Sequence, residues 1–299
     1  MSKKDTFGDM RDYMAPSLFQ PHRARDAIRD AHSKKISLMV GYFAGLASIP
    51  ITRLLAPLGF DWVWFDWEHS SCNVETMTTM VHEMAFMSGG RTIPFVRVPG
   101  HDHAAIGYAM DAGASLIIPQ VDTVEQARSI MSATKFGTKE RGSRSAPPYR
   151  LMPGLTDTPF NSQKDMWRNW NDQAAVIIQI ESLQGIDNLD AILTEVPEID
   201  GVWLGMLDAR ISMNMPSGFG VQCDEPEWLA AVEKFHSTLK KHDKPYAGFA
   251  FAKGEELRNA TESMSMCVIT SDVPKLMEMG GQLAEAKSAL AHDHTLSSP

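Results

Sequence analysis

Short apolar runs recur along this chain: SLMVGYF (37–43), DWVWFD (61–66), TIPFVRV (92–98), SLIIPQ (115–120), AAVIIQI (174–180), GVWLG (201–205), PYAGFAF (245–251) and MCVIT (266–270). Each is too short for a helix and rich in Val, Ile, Phe or Trp. Each is therefore expected to be a strand buried on both faces. Amphipathic stretches lie between most of them. SIPITRLLAPLG (48–59) ends at Gly59, as a helix stop should, and VETMTTMVHEMAF (74–86) spaces Val74, Met77, Val81 and Met84 along one face. DTVEQARSIMSAT (122–134) opens with Asp122 as expected N-cap and Glu125 three residues on, a capping-box pattern. Segments 189–197, 226–242 and 282–292 continue the alternation.

Eight strands alternating with helices predict an α/β fold, a (β/α)₈ TIM barrel, with a doubly wound sheet as the competing architecture. The expected organisation is an N-terminal extension (1–35) packing on the barrel and a single barrel over 36–299. Residues 137–173 break the rhythm. They hold Pro147, Pro148, Pro153 and Pro159 together with Trp167 and Trp170, and are expected to form a long loop insertion. Loops of that length usually have a job, here an active-site cover or a subunit contact; a plain surface insertion is the alternative.

Composition narrows the function classes. The 299 residues carry 28 Lys and Arg against 37 Asp and Glu, a net charge of −9, and contain no long basic run, which argues against a nucleic-acid-binding face. Three scattered cysteines, Cys72, Cys223 and Cys267, supply neither a disulfide framework nor a cysteine zinc site and suit a reducing compartment. The N-terminal MSKKDTFGDMRDYMAP lacks a secretory apolar core. The apolar stretch 36–51 is broken by Gly41, Gly45, Ser48 and Pro50, and the terminal SSP is not a peroxisomal address. A soluble cytoplasmic protein with no membrane partner is expected.

In a barrel the chemistry gathers where the strands end. Four expected strands carry polar groups there: Asp66-Trp67-Glu68-His69, Arg97, Gln179-Ile180-Glu181 and Gly205-Met206-Leu207-Asp208. A charge inside an apolar strand must be paired or bind a ligand. Glu181 and Asp208, on neighbouring strands, are suited to share a divalent cation and leave positions open for water or substrate. The plainer alternative pairs Glu181 with a base and makes Asp208 a helix cap. His69 is placed to act as a general base, with Asp111 of MDAGAS (110–115) as a candidate to orient its ring. Arg97 is placed to hold a developing oxyanion, or to form a buried ion pair with Glu68 or Asp66. There is no G-x-S-x-G and no Walker A, and Gly218-Phe219-Gly220 lacks the rest of a dinucleotide fingerprint. His101-Asp102-His103 is expected to be a polar turn rather than a metal site. No expected strand contains a lysine, which disfavours Schiff-base chemistry and favours a metal as electron sink.

The series GFDWVWFDWEHS, PFVRVP, MDAGASLIIPQV, IIQIESLQGIDNLDAI and IDGVWLGMLD resembles the HpcH/HpaI aldolase family, the class II metal-dependent pyruvate aldolases, over about residues 37–285. GGRTIPFVRVPGHD and ERGSRSAPPY are similar to the branch that includes macrophomate synthase. The resemblance implies a (β/α)₈ barrel assembled as a homo-hexamer with an exchanged C-terminal helix. It implies Glu181 and Asp208 as metal ligands, His69 as base with Asp111 beside it, and Arg97 on the keto oxygen of a 2-oxo acid. Gln179 and Glu68 would support the metal and its waters, and the Leu207 and Asp208 N–H groups would bind the substrate carboxylate. Mg²⁺ is the implied ion, with Mn²⁺ or Co²⁺ as alternatives. Met206 stands where the family usually has proline, and Arg144 and Arg210 also depart from its pattern; either arginine is placed to bind an extra carboxylate or to be solvated. The implied reaction is retro-aldol cleavage, and aldol formation, of 4-hydroxy-2-oxo acids. Oxaloacetate decarboxylation or another carbon–carbon bond formation through the same enolate is the alternative within the family. A non-catalytic binding barrel is the alternative outside it.

Overall fold

The computed structural model of the chain describes residues 9–17, 19–147, 152–218 and 223–291. Pro148, Phe219 and Gly220, the first eight residues and the C-terminal tripeptide lie outside the described residues. Among those described, eight parallel strands close into a barrel: β1 (Met39–Ala44), β2 (Trp62–Asp66), β3 (Ile93–Arg97), β4 (Ser115–Ile118), β5 (Val176–Ile180), β6 (Gly201–Leu204), β7 (Tyr246–Phe249) and β8 (Met266–Ser271). Each strand pairs with its sequence neighbours and β8 pairs with β1, which rules out the doubly wound sheet. Every expected run becomes a strand, its ends shifted by no more than two residues.

Alternation along the strands divides the apolar residues into two layers. Trp62, Trp64, Ile93, Phe95, Ile117, Ile177, Trp203, Ala247 and Val268 point into the barrel. Val63, Phe65, Val96, Leu116, Ile118, Val176, Ile178, Ile180 and Val202 point outward against the helices. Met10, Tyr13, Ala24, Ala27 and Ile28 belong to the inner cluster, so the segment that precedes β1, including α1 (Ala24–His32), closes the end where the strands begin.

The covering helices are α2 (Ile49–Leu55), α3 (Val74–Met87), α4 (His103–Asp111), α5 (Val124–Thr134), α6 (Met166–Gln173), α7 (Leu183–Glu195), α8 (Met206–Ser212), α9 (Pro226–Lys241), α10 (Gly254–Thr261) and α11 (Asp272–Ala289). A 3₁₀ turn prolongs α2 to Leu58, and Gly59 stops it in the left-handed region (φ 92°), where a side chain is disfavoured. The α5 capping box forms one residue later than expected. Thr123 Oγ1 accepts from Gln126 N–H at 3.2 Å, and Gln126 Oε1 accepts from Thr123 N–H at 3.0 Å. Asp122 is occupied elsewhere, accepting a hydrogen bond from Ser182 Oγ. Asp102 is the N-cap of α4, accepting from Ala104 and Ala105 N–H, so His101-Asp102-His103 is a helix start.

The 137–173 insertion is not irregular throughout, because its last eight residues are α6. Trp167 and Trp170 pack on Phe136 with ring centroids 4.9 and 5.9 Å away. The insertion joins the end of α5 to the start of β5, so its described parts stand at the strand-start face. They do not cover the mouth of their own barrel.

The N-terminal segment is stitched to this insertion. Gln20 Nε2 donates to Thr156 O and Thr158 O, both at 3.0 Å, and Gln173 Nε2 donates to Pro21 O at 3.1 Å. His22 lies buried between them, its Nδ1 accepting from Ala15 N–H at 3.2 Å. Burial pushes the ring down to about 4, whereas a histidine in an unfolded chain titrates near 6.5. Between those values the unfolded chain binds a proton that the folded one refuses. Stability present above pH 6.5 is therefore lost as the pH falls toward 4, with about 2 kcal/mol gone from this residue by pH 5. In chemical denaturation, a His22→Gln chain should lose less stability between pH 7.5 and pH 5 than the wild type; equal losses would contradict the assignment.

Candidate active site

The same alternation that sends Trp64, Phe95, Ile177 and Trp203 inward sends Asp66, Arg97, Gln179 and Gly205 inward two residues later, with Glu68 and Glu181 two residues beyond Asp66 and Gln179. Asp66 and Arg97 end β2 and β3 in direct register. Arg97 donates through Nε to Asp66 Oδ1 (2.9 Å) and through Nη2 to Oδ2 (2.7 Å), and its Nε also lies 3.2 Å from Glu68 Oε2. The guanidinium sits 4.8 Å over the Trp64 ring and is 7% exposed. Burial works against its charge, but the hydrogen bonds and charge of Asp66, with Glu68 and Glu181, outweigh it and raise its basicity. Asp66 also accepts from the Glu68 and His69 N–H groups (3.1 and 3.4 Å), so one buried carboxylate shapes the whole turn. The ion pairs weighed in the sequence for Arg97 both form. Neither pair uses Nη1.

His69 is exposed at the rim, its Nε2 3.5 Å from Glu68 Oε2. Burial raises the Glu68 carboxyl; Arg97 and His69 oppose this, while Asp66 and Asp208 add to it. Glu181 is buried. Its Oε2 accepts from Gln120 N–H at 3.0 Å, and Gln120 is held at φ 52°, a left-handed conformation unusual for a residue with a side chain. Burial, and then the negative charge of Asp208, push Glu181 up to about 7. Asp208 stands in the first turn of α8, whose N-cap is Gly205. A Cβ at Gly205 would lie 2.3 Å from Glu181 Oε1, so only glycine lets the carboxylate and the helix start approach this closely. Leu207 lies beside Asp208 in that turn, where helix N–H groups have no carbonyl four residues back.

The donor chemistry suits a hard divalent cation. Asp66, Glu68 and Glu181 act on the Arg97 guanidinium, Asp208 acts on Glu68 and Glu181, and among the described residues the buried Gln179 Oε1 has no hydrogen-bond partner. Among the described residues no group of three or more His, Cys, Asp or Glu forms a complete cage. Two carboxylates can hold such an ion where water and substrate complete its shell.

Three sequence expectations are not met within one chain. Asp111 ends α4, which runs back to the strand-start face before β4, so it does not stand beside His69 at the strand ends. It pairs with Arg144 at 2.7 Å, and the Arg144 guanidinium lies 4.3 Å over Phe136 on that same face. Arg144 is therefore not at the mouth of its own barrel. Arg210 is neither solvated nor open to an extra carboxylate. It is 1% exposed, grips Glu225 through Nη1 and Nη2 (2.8 and 2.7 Å), donates to Pro216 O and stacks on Trp228. The hydrogen bond from Arg210 holds the Glu225 carboxyl down at about 2.

Gln120 and Asp272 escape the sequence reading. Asp272, at the top of β8, accepts from Gly45 and Leu46 N–H at 3.0 Å each and ties down the loop after β1. Gln120 acts through its backbone, which leaves no side-chain signature; Asp272 would have been found by reading the end of β8 as the other strand ends were read.

The HpcH/HpaI aldolase/citrate lyase family model matches residues 39–267. A 4-hydroxy-2-oxo-heptane-1,7-dioate aldolase from Salmonella dublin is 33% identical over 213 residues, spanning 70% of this chain and 74% of the relative. A 5-keto-4-deoxy-D-glucarate aldolase from Enterobacter sp. (strain 638) is 26% identical over 250 residues, spanning 83% and 92%. Among solved structures, macrophomate synthase superposes with a TM-score of 0.84 at 29% identity, covering 93% of each chain. With the family model spanning most of the barrel, the chain belongs to the HpcH/HpaI aldolase/citrate lyase family.

Proposed function

We propose that this protein is a divalent-metal-dependent carbon–carbon lyase that cleaves, and in reverse forms, 4-hydroxy-2-oxo acids through a pyruvate enolate. The observation that carries the reading is the buried Glu181 carboxylate, which feels the charge of Asp208 and packs against Gly205, the N-cap of the helix that carries Asp208, with Asp66, Glu68 and Arg97 at the neighbouring strand ends. The relatives' names, a heptane-dioate aldolase and a keto-deoxy-glucarate aldolase, support the reaction class.

Glu181 and Asp208 would hold the ion, Mg²⁺ foremost and Mn²⁺ or Co²⁺ as alternatives, with Gln179 and Glu68 supporting its waters. When bound, the ion supplies positive charge at the 2-oxo acid end of the substrate. Arg97, fixed by Asp66, donates Nη1 to the oxygen that becomes the enolate oxygen. The Leu207 and Asp208 N–H groups receive the substrate carboxylate. His69 takes the proton from the C4 hydroxyl, directly or through a water. The C3–C4 bond then breaks, its electrons pass to the enolate, and an aldehyde leaves.

Likeness to macrophomate synthase over 93% of both chains favours a second use of the same enolate, reached by decarboxylation of oxaloacetate. That route needs no base on a C4 hydroxyl. A His69→Ala variant should lose aldol cleavage by about 10²–10⁴-fold and retain oxaloacetate decarboxylation. Undiminished cleavage would remove His69 from the role, and a parallel loss of both activities would show that it serves a step common to them.

A homo-oligomer, a hexamer by family resemblance, completes the reading. In α11 (272–289) only Asp272 is buried, and Leu276, Met279 and Leu283 are exposed, as expected of a helix that packs on another copy. Asp111 and Arg144 can serve this chemistry only from a neighbouring copy, since in their own chain they occupy the opposite face. Among the described residues no helix is long and apolar enough to cross a membrane, which fits a cytoplasmic enzyme acting on small molecules.

A further inference from the structure

The barrel mouth has two unlike halves. The ends of β2, β3, β5 and β6 carry Asp66, Glu68, Arg97, Gln179, Glu181 and Asp208, while Asp272 at the end of β8 is engaged by the Gly45 and Leu46 N–H groups. The ends of β7 and β1 carry aromatic rings. Phe249, the last residue of β7, stacks on Trp64 (5.7 Å, 15°) and meets Trp203 and Phe43 edge-on at 4.8 and 5.8 Å. Phe251, two residues on, stacks on Phe249 (5.1 Å, 27°). Phe249 is 41% exposed and Phe251 49%. Trp64 and Phe43 also flank the Arg97 guanidinium, at 4.8 and 5.9 Å. A continuous line of rings therefore runs from the arginine proposed to hold the 2-oxo acid out to the rim.

We propose that Phe249 and Phe251 form the binding surface for the aldehyde, and that the preferred aldehyde carries an aromatic or extended apolar group in place of a second carboxylate. This rests on the lyase reading above. With the 2-oxo acid end on the charged half, the substituent beyond C4 runs along the rings, where stacking and burial of apolar area reward a planar or greasy group. Arg144 and Arg210, the candidates for an extra carboxylate, are held by Asp111 and Glu225. Lys253, exposed at the start of α10, is the cation next to this surface in sequence, and the test includes it. In the bond-forming direction, C3 of pyruvate enolate attacks the aldehyde carbon. The carbonyl electron pair moves to oxygen, which takes a proton and becomes the C4 hydroxyl.

The experiment uses the full chain with Mg²⁺ or Mn²⁺ and pyruvate, and compares kcat/KM for benzaldehyde, hexanal, glycolaldehyde and succinic semialdehyde. Benzaldehyde and hexanal should exceed succinic semialdehyde at least tenfold. Phe251→Ser should cut that ratio at least tenfold, mainly through the aldehyde KM, whereas Lys253→Ala should leave the ranking in place. Saturation transfer from the wild-type protein to benzaldehyde ring protons gives a readout independent of turnover and of the variants' folding. A preference for succinic semialdehyde that Lys253→Ala abolishes would overturn the proposal. So would a ranking that Phe251→Ser does not change, or absence of saturation transfer, as when a second copy covers these rings. Exchange of pyruvate methyl protons by the wild type separates the two levels: exchange with the wrong ranking sinks only this proposal, and no exchange sinks the lyase reading with it.

Discussion

Glu181→Gln should reduce carbon–carbon cleavage by about 10³-fold or more, about 4 kcal/mol of lost transition-state stabilisation. The replacement has nearly the same shape, and its amide oxygen can still accept from Gln120 N–H. What it removes is a buried negative charge that Asp208 repels when no cation is bound. In chelator-treated protein the thermal midpoint of the variant should therefore match or exceed that of the wild type, while its affinity for Mg²⁺ or Mn²⁺ collapses. Calorimetric metal titration and steady-state cleavage of a 4-hydroxy-2-oxo acid check both halves. A variant that binds the ion normally and turns over would show that Glu181 is a structural acid.

Arg97→Met should damage stability and activity together, for separable reasons. It leaves Asp66, which is buried, without its two hydrogen-bonding partners on the guanidinium. Breaking a buried pair from one side costs about 3–5 kcal/mol, a large share of the 5–15 kcal/mol typical of a folded domain. It also removes the donor proposed for the enolate oxygen, with an expected loss in kcat of about 10²–10³-fold. The Asp66→Asn/Arg97→Met double variant distinguishes the two. Relieving the orphaned charge should restore much of the denaturation midpoint, and cleavage should stay low. If activity returned with stability, Arg97 would be scaffolding for Asp66 and the turn to His69.

How far the sequence reveals this molecule follows from where the physical signals lie. The eight strands are legible because residues such as Val63, Trp64 and Phe65 must be apolar on both faces, which a linear pattern records directly. Helix α10 buries none of its residues, and α1 buries mainly alanines, so neither prints an apolar stripe. Helix α6 follows a proline-rich stretch and buries Asn169, Asn171 and Gln173 beside Trp170, polar side chains that read as loop. The α5 cap is displaced by one residue because Asp122 and Thr123 are both good caps, and the position of Gln126 decides between them.

For the site, Asp66, Arg97, Gln179 and Glu181 are legible because charged and amide side chains stand out in apolar strands, and period-two alternation places them inside. Asp111 shows the limit of that reasoning. A residue just before a strand lies at the face opposite one just after it, so the nearness of Asp111 to the fourth strand places it away from His69 within the chain. Arg144 and Arg210 show another limit: an arginine in a loop says nothing about which carboxylate it already holds. Their partners, Asp111 and Glu225, are 33 and 15 residues away.

In the proposed mechanism Glu181 and Asp208 would hold a divalent cation, whose positive charge would favour formation of the pyruvate enolate. Loss of the pyruvate methyl signal in D₂O, followed by proton NMR on chelator-treated wild-type protein before and after Mg²⁺, Mn²⁺ or Co²⁺ is restored, tests it most directly. The expected result is exchange at least ~100-fold faster with one of these ions than without, as a Lewis acid contributing several kcal/mol requires. Exchange at the same rate with and without metal, or none with any of the three ions, would contradict it.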